Sequence, residues 1–264
     1  MLTICRKALW DQRRTLPAWA SGLVLSIVLE AAMWPSISSM SSLDAYLTEF
    51  PDALKDMFAI DQMSTGTGFL NAELFSLMLP LLFVIFGILR GARGIAGEEE
   101  AGTLDLLLVT PLSTTRLLLG EALALTVAVV ALGVATVGGT LAGSALFDLG
   151  IPARSAVAGA SACTLLGLVH GLLALTAGAM LGRRGAAIGV ATTAALAAYV
   201  LYVGGLFVDG LSDVRVISPF HQALHAGPLA SAFPASFLSL VLASVGLVVL
   251  ALPLWARRDI GAHR

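Results

Sequence analysis

Three consecutive glutamates, Glu98, Glu99 and Glu100, form the densest group of reactive side chains in the sequence. Paired acids inside a membrane could cut a peptide bond in the pattern Glu-Glu-x-x-x-Arg. Gly102 and Thr103 occupy the places where that arginine would stand. His221 and His225 are spaced i, i+4, as two ligands on one helical turn would be. No further Asp, Glu or Cys lies close by in the sequence to complete a metal site, so ordinary loop histidines are the expectation. H-E-x-x-H and G-x-S-x-G are both absent. Lys7 and Lys55 are the only lysines, and neither sits in the phosphate-cradling G-x-x-x-x-G-K-[ST] pattern. These residues offer no catalytic constellation and no metal site.

Four ionisable residues fall inside long apolar stretches: Glu30, Glu73, Glu121 and His170. A charge at mid-membrane costs about 2.5–3.5 kcal/mol on insertion scales, so each needs a physical reason. Counting about 1.5 Å per residue from Arg14 places Glu30 near the far end of its stretch. Glu73 and Glu121 lie at the ends of theirs. Snorkelling to the interface is the expectation for all three. His170 lies mid-stretch, where it can line a path or hydrogen-bond within a bundle. A secondary transporter or channel would need a relay of such groups, and these four do not compose one.

The elements that hold these residues are membrane spans. The chain is 58% hydrophobic and 12% charged, where soluble domains carry about 25% charge. Its mean hydropathy is +0.91. Six apolar segments are long enough to cross a bilayer: 16–37, 69–89, 117–146, 156–181, 186–208 and 235–255. They make one all-α transmembrane domain covering 1–264. With six spans both termini share a side, and of 15 Lys and Arg only Lys55, Arg154 and Arg215 fall opposite. The positive-inside rule then puts both termini in the cytoplasm of a multi-pass cytoplasmic-membrane protein. Cys5 and Cys163 fall too far apart for a disulfide. No cleavable signal peptide is evident. Trp10, Trp19, Trp34 and Trp255 are placed for an interfacial aromatic belt. The lipid bilayer is the first partner, and nothing invites nucleic acid.

Residues 2–15 pattern as a basic amphipathic helix, with Trp10 among the apolar positions and Arg13 and Arg14 among the basic ones. Between the first two spans, Leu43, Phe50, Leu54 and Phe58 share one arc of a second amphipathic helix. That helix either lies on the outer leaflet or dips into the mouth of a path as a lid. Gly167, Gly171, Ala174, Gly178 and Gly182 form a smooth stripe along the fourth span, suited to close helix contact. The stripe serves packing inside the bundle or a subunit interface.

The longest polar interruption on the cytoplasmic side is RGARGIAGEEEAGTLDLLLVTPLSTTRLLLGE, residues 90–121. Gly94 and Gly97 precede Glu98–Glu100, so a helix can begin there with acids in its first turn. Thr103 or Asp105 can cap a second short helix carrying Leu104, Leu107 and Leu108. Thr110-Pro111 stops it, since a residue before proline leaves the α region. The glycines, acidic cluster, Gly-Thr-Leu-Asp, aliphatic run, Thr-Pro and final Gly-Glu resemble the cytoplasmic signature of permease subunits of type-2 exporters of the ATP-binding-cassette (ABC) class. The segment SPFHQALHAGPL before the last span resembles that family's stretch there.

The resemblance implies a fold of six transmembrane helices with an N-terminal elbow helix, carrying Trp10, Arg13 and Arg14. It implies a cytoplasmic coupling helix between spans two and three, where Glu98, Glu99, Glu100, Thr103, Leu104, Asp105, Leu107 and Leu108 would meet an ATPase. Two cassette ATPase subunits and a second permease, identical or related, are the implied partners. ATP and Mg would reside on the ATPase, with no cofactor in this chain. The function implied is ATP-driven export by a subunit that is not itself an enzyme. His170, Glu30, Leu43, Phe50, Leu54 and Phe58 are the candidates for pathway or lid. A secondary transporter or channel, or an intramembrane enzyme, is the alternative.

Overall fold

A computed structural model of the chain describes residues 1–39, 63–102, 113–229 and 233–256. Among these residues the protein is helical, with no strand. Helix α1 (Leu2–Asp11) leads into α2 (Thr15–Ser38) and α3 (Gly66–Glu100). Then follow α4 (Thr114–Leu146), α5 (Ala153–Leu181), α6 (Arg184–Phe207), the short α7 (Pro219–Leu224) and α8 (Ser236–Ala256). Six of them, α2 to α6 and α8, are long and apolar enough to cross a membrane. The chain is an all-α integral membrane protein.

The sequence explains where these helices begin and end. Ser113 caps α4, its hydroxyl accepting from the Arg116 amide at 3.3 Å. Gly182 closes α5 in the left-handed region, φ 63°, which a residue without Cβ adopts freely. Ser218 caps α7 just ahead of Pro219, which needs no amide partner at a first helical turn.

α5 is the buried centre, packed chiefly on α3 and also on α4, α6 and α8. Lipid tails are as apolar as leucine, so close van der Waals packing between helices must replace the hydrophobic drive. The glycine stripe supplies it. A Cβ on Gly171 would stand 2.9 Å from the Gly87 carbonyl oxygen, and one on Gly91 would run into the Gly171 carbonyl. Two G-x-x-x-G pairs, Gly87/Gly91 and Gly167/Gly171, thus bring the α3 and α5 backbones together. Gly178 faces Ala96 and Ala187. Gly139 and Gly143 of α4 receive Val24, Ile27 and Ala31 of α2 in the same way.

α3 is one irregular rod rather than a span followed by a loop helix. It contains π turns at Asn71–Phe75 and Arg93–Gly97, separated by α-helix Met78–Ala92. Pro80 lacks an amide, and its ring opposes the carbonyl four residues back, which fits the break at Leu77 (φ −143°). The helix expected to start at Gly94 or Gly97 does not start there. The backbone passes through the second π turn directly into Glu98–Glu100. Trp255, expected in an interfacial belt, is buried in the core with Leu117 and Leu125. Cys5 and Cys163 are free and buried.

The α3–α5 contact sets a direct test. Gly91→Val should destabilise the protein by about 3 kcal/mol or more through overpacking against backbone, or abolish monodisperse protein. Gly138→Val, whose Cβ would meet nothing within 4 Å, should be tolerated. Thermal unfolding of the purified variants distinguishes the two sites.

Candidate functional site

The site is the arginine-rich end of the bundle, where α3 stops and residues 103–112 begin. Three ties fix the end of α3. Arg90 Nη2 donates to Glu121 Oε2 of α4 at 2.9 Å, and both side chains are 9% exposed. Lys7 Nζ of α1 donates to Glu98 Oε1 at 3.0 Å and lies 3.4 Å from Asp11. The Arg184 backbone amide, at the start of α6, donates to Glu100 Oε1 at 2.8 Å. Glu100 therefore meets a helix start as a carboxylate should, but it belongs to α6 instead of its own helix.

Gly94 makes the buried tie possible, because a Cβ there would press to 3.0 Å from Glu121 Oε2. The snorkelling expected of Glu121 is thus overturned: its carboxylate turns inward to a guanidinium one helix away. Arg90, counted among the loop charges, is a core residue for the same reason. The signal lay in the sequence as an arginine late in one span and a glutamate early in the next. Distance along the chain hid the pairing. Arg90 Nε is buried with no hydrogen-bond partner among the described residues, so the ion pair leaves its donor set incomplete.

α1 lies against α4 by Ile4, Cys5 and Ala8, with the Ile4 side chain filling the space over Gly120. Trp10 points outward, 64% exposed, and Arg13 stacks on its ring at 4.5 Å. Arg14 is exposed at the head of α2. Burial would lower the Lys7 pKa, but hydrogen bonding and charge from Glu98, then Asp11, outweigh it and hold the ammonium above its ordinary range. Burial, reinforced by the Glu121 carboxylate and opposed by Arg90, pushes the Cys5 thiol up. Cys5 is therefore a neutral packing residue.

Between α1, α2, α3, α4 and α6 lies a cavity of about 200 Å³, bordered by Gln12, Trp19, Phe86, Arg90, Glu121 and Arg184 among others. A second, apolar cavity of about 320 Å³ runs between α3 and α6, lined by Leu81, Ile85, Leu196, Tyr199 and Phe220 among others.

The remaining sequence candidates scatter. His170 is 2% exposed; its Nδ1 donates to the Leu166 carbonyl at 2.9 Å, and its ring packs 5.5 Å from Phe220. That is a bond within the bundle. Glu30 is half-buried in the last turns of α2, and Glu73 is exposed on α3. Thr103, Leu104, Asp105, Leu107 and Leu108 lie outside the described residues, as do Leu43, Phe50, Leu54 and Phe58. His221 and His225 stack at 4.7 Å without a third ligand, and no metal-binding group of His, Cys, Asp and Glu occurs among the described residues. Burial, then the His225 and Arg215 charges, depress the His221 pKa to about 4.

Two outcomes follow from these pairings. Breaking a buried ion pair leaves an uncompensated charge, so Arg90→Met should cost about 3–5 kcal/mol, whereas Arg90→Met with Glu121→Leu should recover most of it. Lys7→Met, losing an exposed pair, should cost under about 1 kcal/mol. Unfolding of the three proteins in one detergent checks the order. The folded His221 binds its proton less readily than the unfolded chain does. Stability should therefore be full above about pH 6.5 and fall as pH drops toward about 4. His221→Asn should flatten that slope in a pH series of melting temperatures.

Residues 2–260 match the family model described as "ABC-2 family transporter protein". No curated protein matches the chain.

Proposed function

The chain belongs to the ABC-2 transporter family, and from that premise we propose that it is the exporting half of a machine whose motor is a separate ATPase. Membership makes it a membrane permease of an ABC-type transporter, partnered in general by an ATP-binding cassette subunit. Beyond that, our reading is as follows. Both termini face the cytoplasm, and two permeases, identical or related, sit on two ATPases. ATP and Mg are held by the ATPases, and residues 103–112 carry the coupling helix. Leu104, Leu107 and Leu108 enter a groove on the ATPase, where burying each side chain contributes about 1.5–3 kcal/mol. Asp105 and Glu99 meet the rim of that groove.

One observation supports this reading above the others: α3 is tied to three helices over its last three turns, by Arg90, Glu98 and Glu100. A segment rooted in a firmly held helix passes force inward, whereas one hung from a frayed end would absorb it. The expectation for the acids narrows accordingly. Glu98 and Glu100 anchor α3 to α1 and α6, so the leucines are left to supply most of the grip. A secondary transporter would need ionisable groups free to exchange protons or ions in the spans. Glu121 is committed to Arg90 instead.

The test is Leu104→Asp with Leu108→Asp, made in a permease co-expressed with its cassette ATPase. The ATPase should dissociate, or hydrolysis should lose its link to transport, while the permease still inserts and pairs. Single cysteines at 104 and 108 should cross-link to the ATPase with little background, because Cys5 and Cys163 are buried. Free labelling of both positions by a water-soluble thiol reagent in the assembled complex would contradict the proposal. So would ATP hydrolysis by the purified permease alone.

A further inference from the structure

We propose that the outward face of α1 and the turn after it bind an anionic phospholipid of the adjoining leaflet, with Arg13 gripping the lipid phosphate while stacked on Trp10. One face of α1 is committed to the bundle. Ile4 rests over Gly120 of α4, and Cys5 and Ala8 form a small core with Ala124. The other face is uncovered: Leu2 is 78% exposed and Trp10 64%, and Arg6, Arg13 and Arg14 are exposed as well. Residues 12–14 join α1 to α2 and reach at most about 10 Å. α2 is apolar from Leu16 onward, so α1 lies within that reach of the hydrocarbon. Leucine and tryptophan interleaved with arginines suit this boundary, where apolar bodies sink inward and guanidiniums stay among the headgroups. Lipid is already at this depth, and a protein partner would have to displace it.

Charge selects the kind of lipid. Asp11, the acid of α1, is engaged by Lys7 at 3.4 Å. Arg6, Arg13 and Arg14 make no ion pair among the described residues, so the face is left positive. A zwitterionic headgroup offsets its own phosphate with an ammonium, whereas an anionic one keeps its charge for the protein. Arg13 carries the specific contact. Its guanidinium lies over the Trp10 ring at 4.5 Å. Stacking uses the flat face of a guanidinium, while its N–H donors lie in the plane and stay available to a phosphate as a two-pronged fork. The indole also holds the side chain in one place, so less rotamer freedom is lost when the lipid arrives.

The experiment uses the full-length protein, delipidated in detergent and titrated with phosphatidylglycerol or phosphatidylcholine, with native mass spectrometry reading the apparent affinity of the first lipid retained. Phosphatidylglycerol should bind more tightly than phosphatidylcholine. Arg13→Gln should weaken phosphatidylglycerol about fivefold, the worth of one charge near a membrane surface. Arg6→Gln, Arg13→Gln and Arg14→Gln together should weaken it about tenfold or more. Arg13→Lys keeps the charge without the fork and should fall between Arg13→Gln and the unaltered protein. Trp10→Ala keeps every charge and should still weaken binding. Arg183→Gln, at an exposed arginine just ahead of α6, should change little. These side chains are exposed, so lipid-free melting temperatures should match that of the unaltered protein, which separates lost binding from lost folding. Equal affinity for the two lipids, or equal weakening by Arg13→Gln and Arg183→Gln, would overturn the site. So would full phosphatidylglycerol binding by the triple variant, including the case in which that variant instead releases the cassette ATPase and marks the face as its docking surface.

Discussion

The Arg90–Glu121 pair is the interaction on which the arginine-rich end of the bundle depends. Both groups are withdrawn from water, so neither can lose the other cheaply, and they lie on consecutive spans. Desolvating two charges offsets much of their attraction, and the pair need not make the protein more stable than two apolar residues would. What it does is specify an arrangement. It holds α3 and α4 together about three turns before the end of the one and about two turns into the other, on either side of residues 103–112. The other two ties are of a different order. Lys7–Glu98 is an ion pair between solvent-accessible groups, worth about 0–1 kcal/mol, and Glu100 accepts only an exposed backbone hydrogen bond from Arg184. The buried tie is the permanent one, and the exposed ties are those a moving partner could exchange.

The glycine contacts continue that logic into the membrane. Gly87 and Gly91 sit six and two residues before the π turn that leads into the acids, and they press α3 onto α5. Displacement of the end of α3 therefore reaches the centre of the bundle through backbone contacts with no flexible side chain between them. Interiors packed this tightly shift between discrete arrangements in preference to deforming smoothly. The π turn at Arg93–Gly97 is the one irregular step along this route, and it adjoins both the buried ion pair and the cavity.

Much of this was legible in the sequence, and the illegible part has a physical pattern. Composition and six apolar runs identify the class because hydrocarbon leaves the backbone few options. The family signature rests on residues such as Gly102, Pro111 and the glutamate triplet, which are local and readable. Pairings between helices are not local. Glu121 read as a snorkelling acid because its partner stands on another span, and Glu100 read as an acid in the first turn of its own helix because the start of α6 is far away in sequence. Trp255 looked interfacial by position and is core by packing. Gly167 and Gly171 were visible as a smooth stripe, but only the fold shows that Gly87 and Gly91 fill it.

The account turns on α3 and α4 moving as one clamped pair when the ATPase moves. Pulsed electron–electron distance measurement between spin labels at exposed Ala101 and Thr115, in the permease–ATPase complex, reads that directly. The account predicts one narrow distance, unchanged when a non-hydrolysable ATP analogue binds, and broadened when Arg90 is replaced by alanine. A broad or nucleotide-dependent distance in the unaltered protein would contradict it.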